Sequence, residues 1–309
     1  MTVYRTSLAT IPAELRGCAV TIGNFDGVHL GHQAIVQTLL TKARHCGGPA
    51  AVVTFDPSPA RLLRPEHRTE LLTTLEERGA ILRGLGVDAV VIIETTADLL
   101  ALEPRDFFQE ILIGRFGVRA IAEGSNFRFG RGRGGSVETL AEYCREAGVE
   151  LAVVKDQFLD GQVISSSSIR RLLAAGDVGE AARMLGRSYA VTGEVVRGAA
   201  RGREIGFPTA NLSPPVTMLP THGVYACRVE IDGTSYAAAS HIGPNVTFGE
   251  SDARLECHVI DFAGDLYGRM LRVEFLQRLR GPQKFDGAEP LVQQMRIDID
   301  AARRVYHPL

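Results

Sequence analysis

The sequence predicts an α/β half followed by a β half, and three observations lead there. From Ala19 to Val154, short and nearly unbroken apolar runs alternate with segments of helical spacing. From Ser188 onward, short strand-like runs follow one another without helices between them. Between the two textures lie a serine cluster and two short helical segments. Apolar strands separated by helices imply a parallel sheet covered on both faces, with ligands at the carboxyl ends of its strands. Consecutive short strands closed by one last helix imply a small antiparallel β-barrel with a terminal helix. The domains expected are therefore 1–186 and 187–309.

In chain order, strands are expected at Ala19 to Ile22, Ala50 to Phe55, Asp88 to Ile93, Val118 to Ala122 and Leu151 to Val154. Helices are expected at Gly31 to Cys46, at Thr73 to Leu85 with a Thr73/Glu76 capping box, at Glu103 to Phe116 with Pro104 in its first turn, and at Val137 to Ala147. Ser168 to Ala175 and Val178 to Leu185 are the short helices. The β half reads Tyr189 to Val196, Gly223 to Ile231, Tyr236 to Ala239, Leu255 to Phe262 and Leu271 to Leu276, with an Asp232-Gly233 hairpin turn and a helix from Glu289 to Arg304.

At 309 residues, with 45% apolar and 23% charged, the chain has the composition of a globular protein with two cores. The formal charge is −2, and the two halves are each balanced, so neither carries the basic excess of a nucleic-acid groove. No run is long and apolar enough to span a membrane, and the N-terminus lacks a signal-peptide pattern, so the expected setting is cytoplasmic. Five scattered cysteines without a C-x-x-C pair read as reduced thiols.

Five stretches carry chemistry. Thr21 to His32 runs from a strand into a turn punctuated by Gly23, Gly27 and Gly31, with His29 and His32 where a helix begins. Close backbone approach, free N–H groups and the helix dipole favour a phosphate there; the competing reading is that the histidines cap a helix. Asp26 either holds the turn or approaches a magnesium ion, and Phe25 packs behind it. Glu123 to Gly135 (E-G-S-N-F-R-F-G-R-G-R-G-G) follows a strand and reads as a mobile glycine loop that offers Asn126 and Arg128 to an anion. An RGG-type nucleic-acid segment is the poorer reading, because the run is single and bounded by ordered elements.

Ile164 to Arg170 supplies Ser165, Ser166, Ser167 and Arg170 before a helix, either as surplus caps or as polyphosphate ligands. Gly202-Arg203-Glu204-Ile205-Gly206-Phe207-Pro208-Thr209-Ala210-Asn211 places the hard oxygens of Thr209 and Asn211 two residues apart, which suits Mg²⁺; the alternative is a decorated turn. Strand alternation puts Glu256 and His258 on one face, where one could act as a general base if that face lines a pocket.

Together these stretches resemble the bacterial bifunctional riboflavin kinase/FMN adenylyltransferase family, over nearly the full chain and in motif order. G-N-F-D-G-V-H-L-G-H at Gly23 to His32 is similar to the signature of the H-x-G-H nucleotidyltransferases, and T-F-D-P-S-P (with Phe55), N-F-R-F-G and I-S-S-S-S-I-R are similar to that module's other motifs. G-F-P-T-A-N-L, G-V-Y-A, the strand from Glu256, Leu266-Tyr267-Gly268, Arg280 and Lys284-Phe285 resemble the kinase module.

The resemblance implies a Rossmann-like nucleotidyltransferase domain and a kinase barrel. It implies ATP as co-substrate at both sites, riboflavin, FMN and FAD as substrates and products, and Mg²⁺. His29 and His32 would stabilise charge at the α-phosphate, and Ser165 to Ser167 with Arg170 would hold the outer phosphates. Gly23, Asn24, Phe25, Asp26, Gly27, Gly31, Phe55, Asn126 and Arg128 would line the first site. Gly202, Arg203, Gly206, Phe207, Pro208 and Arg280 would line the second, Thr209 and Asn211 would ligate Mg²⁺, and Glu256 would be the base.

The alternatives are a protein with one of the two activities and a non-catalytic flavin- or nucleotide-binding regulator. Retention of His29, His32, Thr209, Asn211 and Glu256 speaks for catalysis. The partners implied are small molecules, with no nucleic acid and no membrane, and assembly into a homo-oligomer is left open. Ser167 stands where threonine is common, His241 and Val246 replace the Asn and Pro of N-I-G-x-x-P-T-F, and Gly281-Pro282 stands where an acidic residue is common.

Overall fold

Alanine, valine and isoleucine dominate the strands of the first half, and the fold buries them from both sides. The computed structural model describes residues 2–6, 11–63, 66, 69–198, 202, 206–243 and 254–306; Arg203 and Val246 lie outside them. Contacts divide the chain into two compact units, Met1–Ile164 and Ser165–Leu309.

The first unit holds a six-stranded sheet in the order β1-β4-β3-β2-β5-β6. Its strands are β1 (Thr2–Thr6), β2 (Ala19–Ile22), β3 (Ala50–Asp56), β4 (Ala89–Glu94), β5 (Ala120–Gly124) and β6 (Glu150–Val154), and every pairing is parallel. Helices α1 (Leu30–Cys46), α2 (Pro59–Leu63), α3 (Leu75–Gly84), α4 (Ala97–Ala101), α5 and α6 (Val137–Ala147) fall between the strands. In α5, an α-helical turn at Pro104–Asp106 widens to π-helix over Phe107–Phe116. Alternate strand residues feed two separate cores. Val91 and Ile93 join Phe108, Ile111 and Leu112 of α5 in one, while Val90 and Ile92 join Val36 and Leu39 of α1 and Leu82 of α3 in the other. Both faces are thus covered, as expected for parallel strands.

Strand β2 continues to β3 on one side, whereas β5 and β6 lie on the other, so the topological switch falls between β2 and β5. Ligand crevices form at the carboxyl ends of strands at such a point.

Local chemistry moved some boundaries. The capping box is made by Thr74 and Glu77, one residue later than expected, because the Thr73 hydroxyl is committed to Asp26 and Gly27. Strand β1, absent from the strands expected of the sequence, pairs along its whole length with β4. Within the Glu123 to Gly135 segment, Phe129 pairs with Gly135, is buried, and stacks on Phe127 at 5.6 Å. A two-stranded hairpin, β7 (Phe158–Leu159) with β8 (Gln162–Val163), ends the unit.

The second unit opens with α7 (Ser166–Ala175) and α8 (Val178–Leu185). Strands β9 (Tyr189–Val196), β10 (Ala210–Leu212), β11 (Gly223–Ile231), β12 (Thr234–Gly243), β13 (Arg254–Val259) and β14 (Met270–Arg280) then close a barrel in the order β10-β13-β12-β11-β14-β9. Asp232 and Gly233 have φ of 51° and 76°, the pair of positive values that a type I′ hairpin turn requires. Helix α9 (Ala288–Val305) packs over β11, β12 and β14 through Ile299 and Ala302. Helices α7 and α8 group with the barrel, so compactness divides the chain ahead of the texture change at residue 186.

Candidate functional site

At the end of β2 the chain turns sharply into α1, and the turn holds three residues in the left-handed region: Phe25 (φ 48°), Gly27 (φ 82°) and Val28 (φ 40°). Such backbone costs a β-branched residue on the order of 1–3 kcal/mol and persists only where its surroundings fix it. Two things fix it here. Phe25 and Val28 are buried in the α1-side core. The Asp26 carboxylate accepts from the Leu72 and Thr73 amides at 3.0 and 3.1 Å, from the Thr73 hydroxyl at 3.2 Å and from Arg78 at 3.3 Å. The Thr73 hydroxyl in turn accepts from the Gly27 amide at 3.0 Å. Of the two roles considered for Asp26, these bonds are those of holding the turn.

His29 is the N-cap of α1, and its Nδ1 accepts from the His32 amide at 3.3 Å. The accepting role of Nδ1 puts the ring hydrogen of a neutral His29 on Nε2. The two imidazoles stack at 3.7 Å and 20°, and Phe25 lies 5.0 Å from His32 on its other contact. A Cβ at Gly31 would lie 3.1 Å from the His29 ring, which is why glycine stands there. Burial, then the neighbouring His29 and Arg78, hold the His32 pKa well below its ordinary 6.5. His32 is therefore a neutral hydrogen-bonding ring, and its buried Nδ1 has no partner among the described residues. The capping and phosphate readings are compatible: His29 caps α1, and the stacked pair presents ring N–H groups that can stabilise developing negative charge.

The other expected residues of this unit fall as follows. Gly23 donates its amide to Val53 O at 3.0 Å, and the Asn24 carbonyl accepts from the Thr54 hydroxyl at 3.4 Å. Phe55 is half-buried on β3 against the α5-side core. Asn126 and Arg128 are exposed just past the end of β5. Glu123, to which the sequence motifs assign no role, is buried at the end of β5 and accepts from the Ile22 amide at 2.6 Å and the Thr21 hydroxyl at 3.4 Å. An ionisable residue closing an apolar strand was the sequence signal for it. Arg78 gave no such signal, because its partner lies far away in the chain.

In the second unit, Ser165 caps α7 by accepting from the Ser168 amide at 3.1 Å, and its hydroxyl lies 3.0 Å from that of Ser168. Ser168 is buried, Ser166 and Arg170 are half-buried and Ser167 is exposed.

In the barrel, a Cβ at Gly202 would meet the Phe207 carbonyl oxygen at 2.4 Å, because the Phe207 amide closes onto Gly202 O at 2.7 Å. Gly206 has φ +88°. The Pro208 carbonyl takes the ring of His258 at 2.8 Å, and Phe207 meets that ring edge-on. A Cβ at Gly202 would also lie 3.3 Å from the Thr209 hydroxyl.

Strand register then places one row across the barrel: Asn211 on β10 opposes Glu256 on β13, Glu256 opposes His241 on β12, His241 opposes Val224 on β11, and Val224 opposes Arg280 on β14. Directly opposed residues share a face. Glu256 and His258 are half-buried on one face while Leu255, Cys257 and Val259 fill the interior, as alternation requires. Asn211 is buried and its Oδ1 has no partner among the described residues. Arg280 closes the row in a fork onto Asp298 of α9 at 2.8 to 3.1 Å, and its guanidinium lies 5.7 Å from the Phe285 ring. Burial, then Arg280 and His222, lower the His241 pKa, opposed by Asp298.

Family comparisons describe both halves. The FAD synthetase family model matches residues 11–168, and the riboflavin kinase family model matches residues 185–306. The bifunctional riboflavin kinase/FMN adenylyltransferase of Pseudomonas fluorescens is 39% identical over 302 residues, 97% of either chain. Its counterpart in Escherichia coli K12 is 35% identical over 301 residues, 97% of this chain and 96% of that one. Among solved structures, a Streptococcus pneumoniae protein described as a macrolide-efflux protein superposes with a TM-score of 0.89 at 32% identity, over 98% of this chain and 99% of that one. Among the described residues, no helix is long and apolar enough to cross a membrane.

Proposed function

We infer the division of labour below from one premise: the chain belongs to the bifunctional riboflavin kinase/FMN adenylyltransferase family. It phosphorylates riboflavin with ATP to give FMN, and transfers the adenylyl group of a second ATP to FMN, giving FAD and pyrophosphate. The residues that serve each step, the metal and the functional boundary are our proposals.

For adenylyl transfer, the FMN phosphate oxygen attacks the α-phosphorus of ATP in line, and pyrophosphate leaves. Negative charge grows on the oxygens around that phosphorus. His29 and His32 meet it with ring N–H groups, and since His32 is neutral its contribution is aimed hydrogen bonding and not net charge. Gly23, Asn24, Phe25, Gly27 and Gly31 let the backbone approach the nucleotide, and Asp26 keeps that backbone in shape. Ser165 to Ser167, Arg170, Phe55, Asn126 and Arg128 are carried as nucleotide or flavin contacts by their match to the family motifs.

For the kinase, the carrying observation is the register that sets Asn211 beside Glu256, with the Asn211 Oδ1 buried and unpartnered among the described residues. A buried amide oxygen without a donor fits a hard cation, and the Thr209 hydroxyl supplies a second oxygen two residues away. Mg²⁺ bound there would neutralise charge on the ATP phosphates. Glu256 takes the proton of the riboflavin 5′-hydroxyl as that oxygen attacks the γ-phosphorus, and ADP leaves. Gly202, Gly206, Phe207 and Pro208 shape the adjoining loop, and Arg280 serves the flavin side.

The functional boundary proposed is 1–186 and 187–309, supported by the start of the riboflavin kinase match at residue 185. The balanced charge of −2 supports small-molecule work without a nucleic-acid partner, and the setting proposed is the cytoplasm, without a membrane partner.

Product chromatography after incubation with riboflavin, ATP and Mg²⁺ tests the assignment. Glu256→Ala is expected to abolish FMN formation and spare FMN-to-FAD conversion, and His29→Ala to do the reverse. Kinase turnover persisting in Glu256→Ala would remove Glu256 as the base.

A further inference from the structure

Strands β2 and β5 are neighbours, yet their ladder stops early. Ala19 pairs with Ala120 and Val20 with Ile121, while β2 runs on to Ile22 and β5 to Gly124. Each stays paired with its other neighbour, Ile22 with Val53 of β3 and Glu123 with Val153 of β6. The two strands therefore splay at their carboxyl ends, at the switch point of the sheet. A splay leaves a backbone donor facing the gap, and a buried donor without an acceptor is costly.

That donor is the Ile22 amide, and Glu123 reaches across to accept it at 2.6 Å, with the Thr21 hydroxyl at 3.4 Å. The next amide, Gly23, points the opposite way to Val53 O at 3.0 Å. The Ile22 and Gly23 amides, where the strand passes into the Gly23 to His32 turn, are thus anchored to opposite sides, one to a side chain and one to backbone.

We propose that Glu123 is a positioning residue for adenylyl transfer: its carboxyl is a strut across the splayed ends of β2 and β5 that fixes where the histidine-bearing turn leaves the sheet. A glutamate in this role works uncharged. It is 2% exposed, and its hydrogen-bond partners among the described residues are an amide and a hydroxyl, with no cation. Burial raises its pKa well above the ordinary 4.5, offset in part by those two hydrogen bonds. Asp26, the other buried carboxyl of this corner, has Arg78 beside it. One carboxyl holds the turn through a cation and two amides; the other holds its entry through a single acceptor.

The proposal rests on assigning adenylyl transfer to the Gly23 to His32 turn, and the test separates the two. In the full chain, FMN adenylyltransferase and riboflavin kinase turnover are measured side by side for Glu123→Met, Glu123→Gln and His29→Ala. Methionine keeps the length and volume but replaces the carboxyl oxygen that takes the Ile22 amide with a methyl group, its thioether sulfur being only a weak acceptor. Its expected effect is a fall of at least tenfold in adenylyl-transfer kcat, with KM for FMN within twofold and kinase turnover unchanged. Glutamine keeps an acceptor oxygen and is expected to stay within threefold of the parent.

Parent-like adenylyl transfer in Glu123→Met would overturn the strut, as would a kinase loss in step with the adenylyl-transfer loss. A tenfold loss in Glu123→Gln would also overturn it, since an ionisable group and not a neutral acceptor would then be needed; this arm holds even if the methionine variant does not fold. Unchanged FAD formation in His29→Ala would sink the underlying assignment. An inactive His29→Ala beside an active Glu123→Met would sink the strut alone.

Discussion

His32 is a residue whose charge state is set by its neighbours before any substrate arrives. Phe25 and His29 lie against its ring, and His29 and Arg78 add to burial in disfavouring the proton. With the folded-state pKa below the unfolded 6.5, the unfolded chain binds the extra proton first as pH falls. Stability from this group is thus complete above about pH 6.5 and is lost progressively as pH drops below it. Urea unfolding at pH 7.5 and at pH 5.5 should show a smaller difference for His32→Asn than for the parent; an equal difference would mean that His32 is not held neutral. The sequence made both histidines visible, through glycines and a helix start. It offered capping as the competing reading but did not show that His29 alone is the cap and that His32 is a neutral stacked ring, because those facts depend on Phe25, Arg78 and the Asp26 network folding around them.

Helix α1 shows how an element serves its site at some cost to itself. Glycine inside a helix is less favourable than alanine by about 1 kcal/mol, yet Gly31 stands in the first turn of α1 where a Cβ would press on the His29 ring at 3.1 Å. Gly31→Ala is expected to leave stability within about 1 kcal/mol, since propensity and crowding oppose each other, and to lower FAD formation roughly tenfold by displacing the ring. Thermal unfolding beside FAD assays checks both halves of that expectation.

Elements with strong internal pattern were legible: α6, α8, β9 and β11 run between the residues that periodicity indicated. Elements defined by their partners were not. Strand β1 exists because β4 offers an edge, and the short β10 because β9 and β13 flank it. The capping box moved by one residue because a distant aspartate claimed Thr73.

At the scale of the molecule, the sequence displayed the order of the two modules but not the packing that groups α7 and α8 with the barrel. Val178, Ala181, Met184 and Leu185 of α8 are buried, and the helix packs on β9 and β14. Four side chains of this kind are worth several kcal/mol when removed from water. A chain of residues 165–309 is therefore expected to melt well above one of residues 187–309, as read by circular dichroism. Equal melting points would mean that α8 adds nothing to the barrel.

The closed barrel has one more consequence, for the chain under stress. A barrel closed on itself has no edge strand, whereas the six-stranded sheet ends in β1 and β6, where Val3 and Val153 are 43% and 46% exposed. Strand edges are what one chain offers another to pair with. When heat or denaturant loosens this protein, self-association is expected to begin at the rims of the parallel sheet, and the barrel to be the last part drawn into an aggregate.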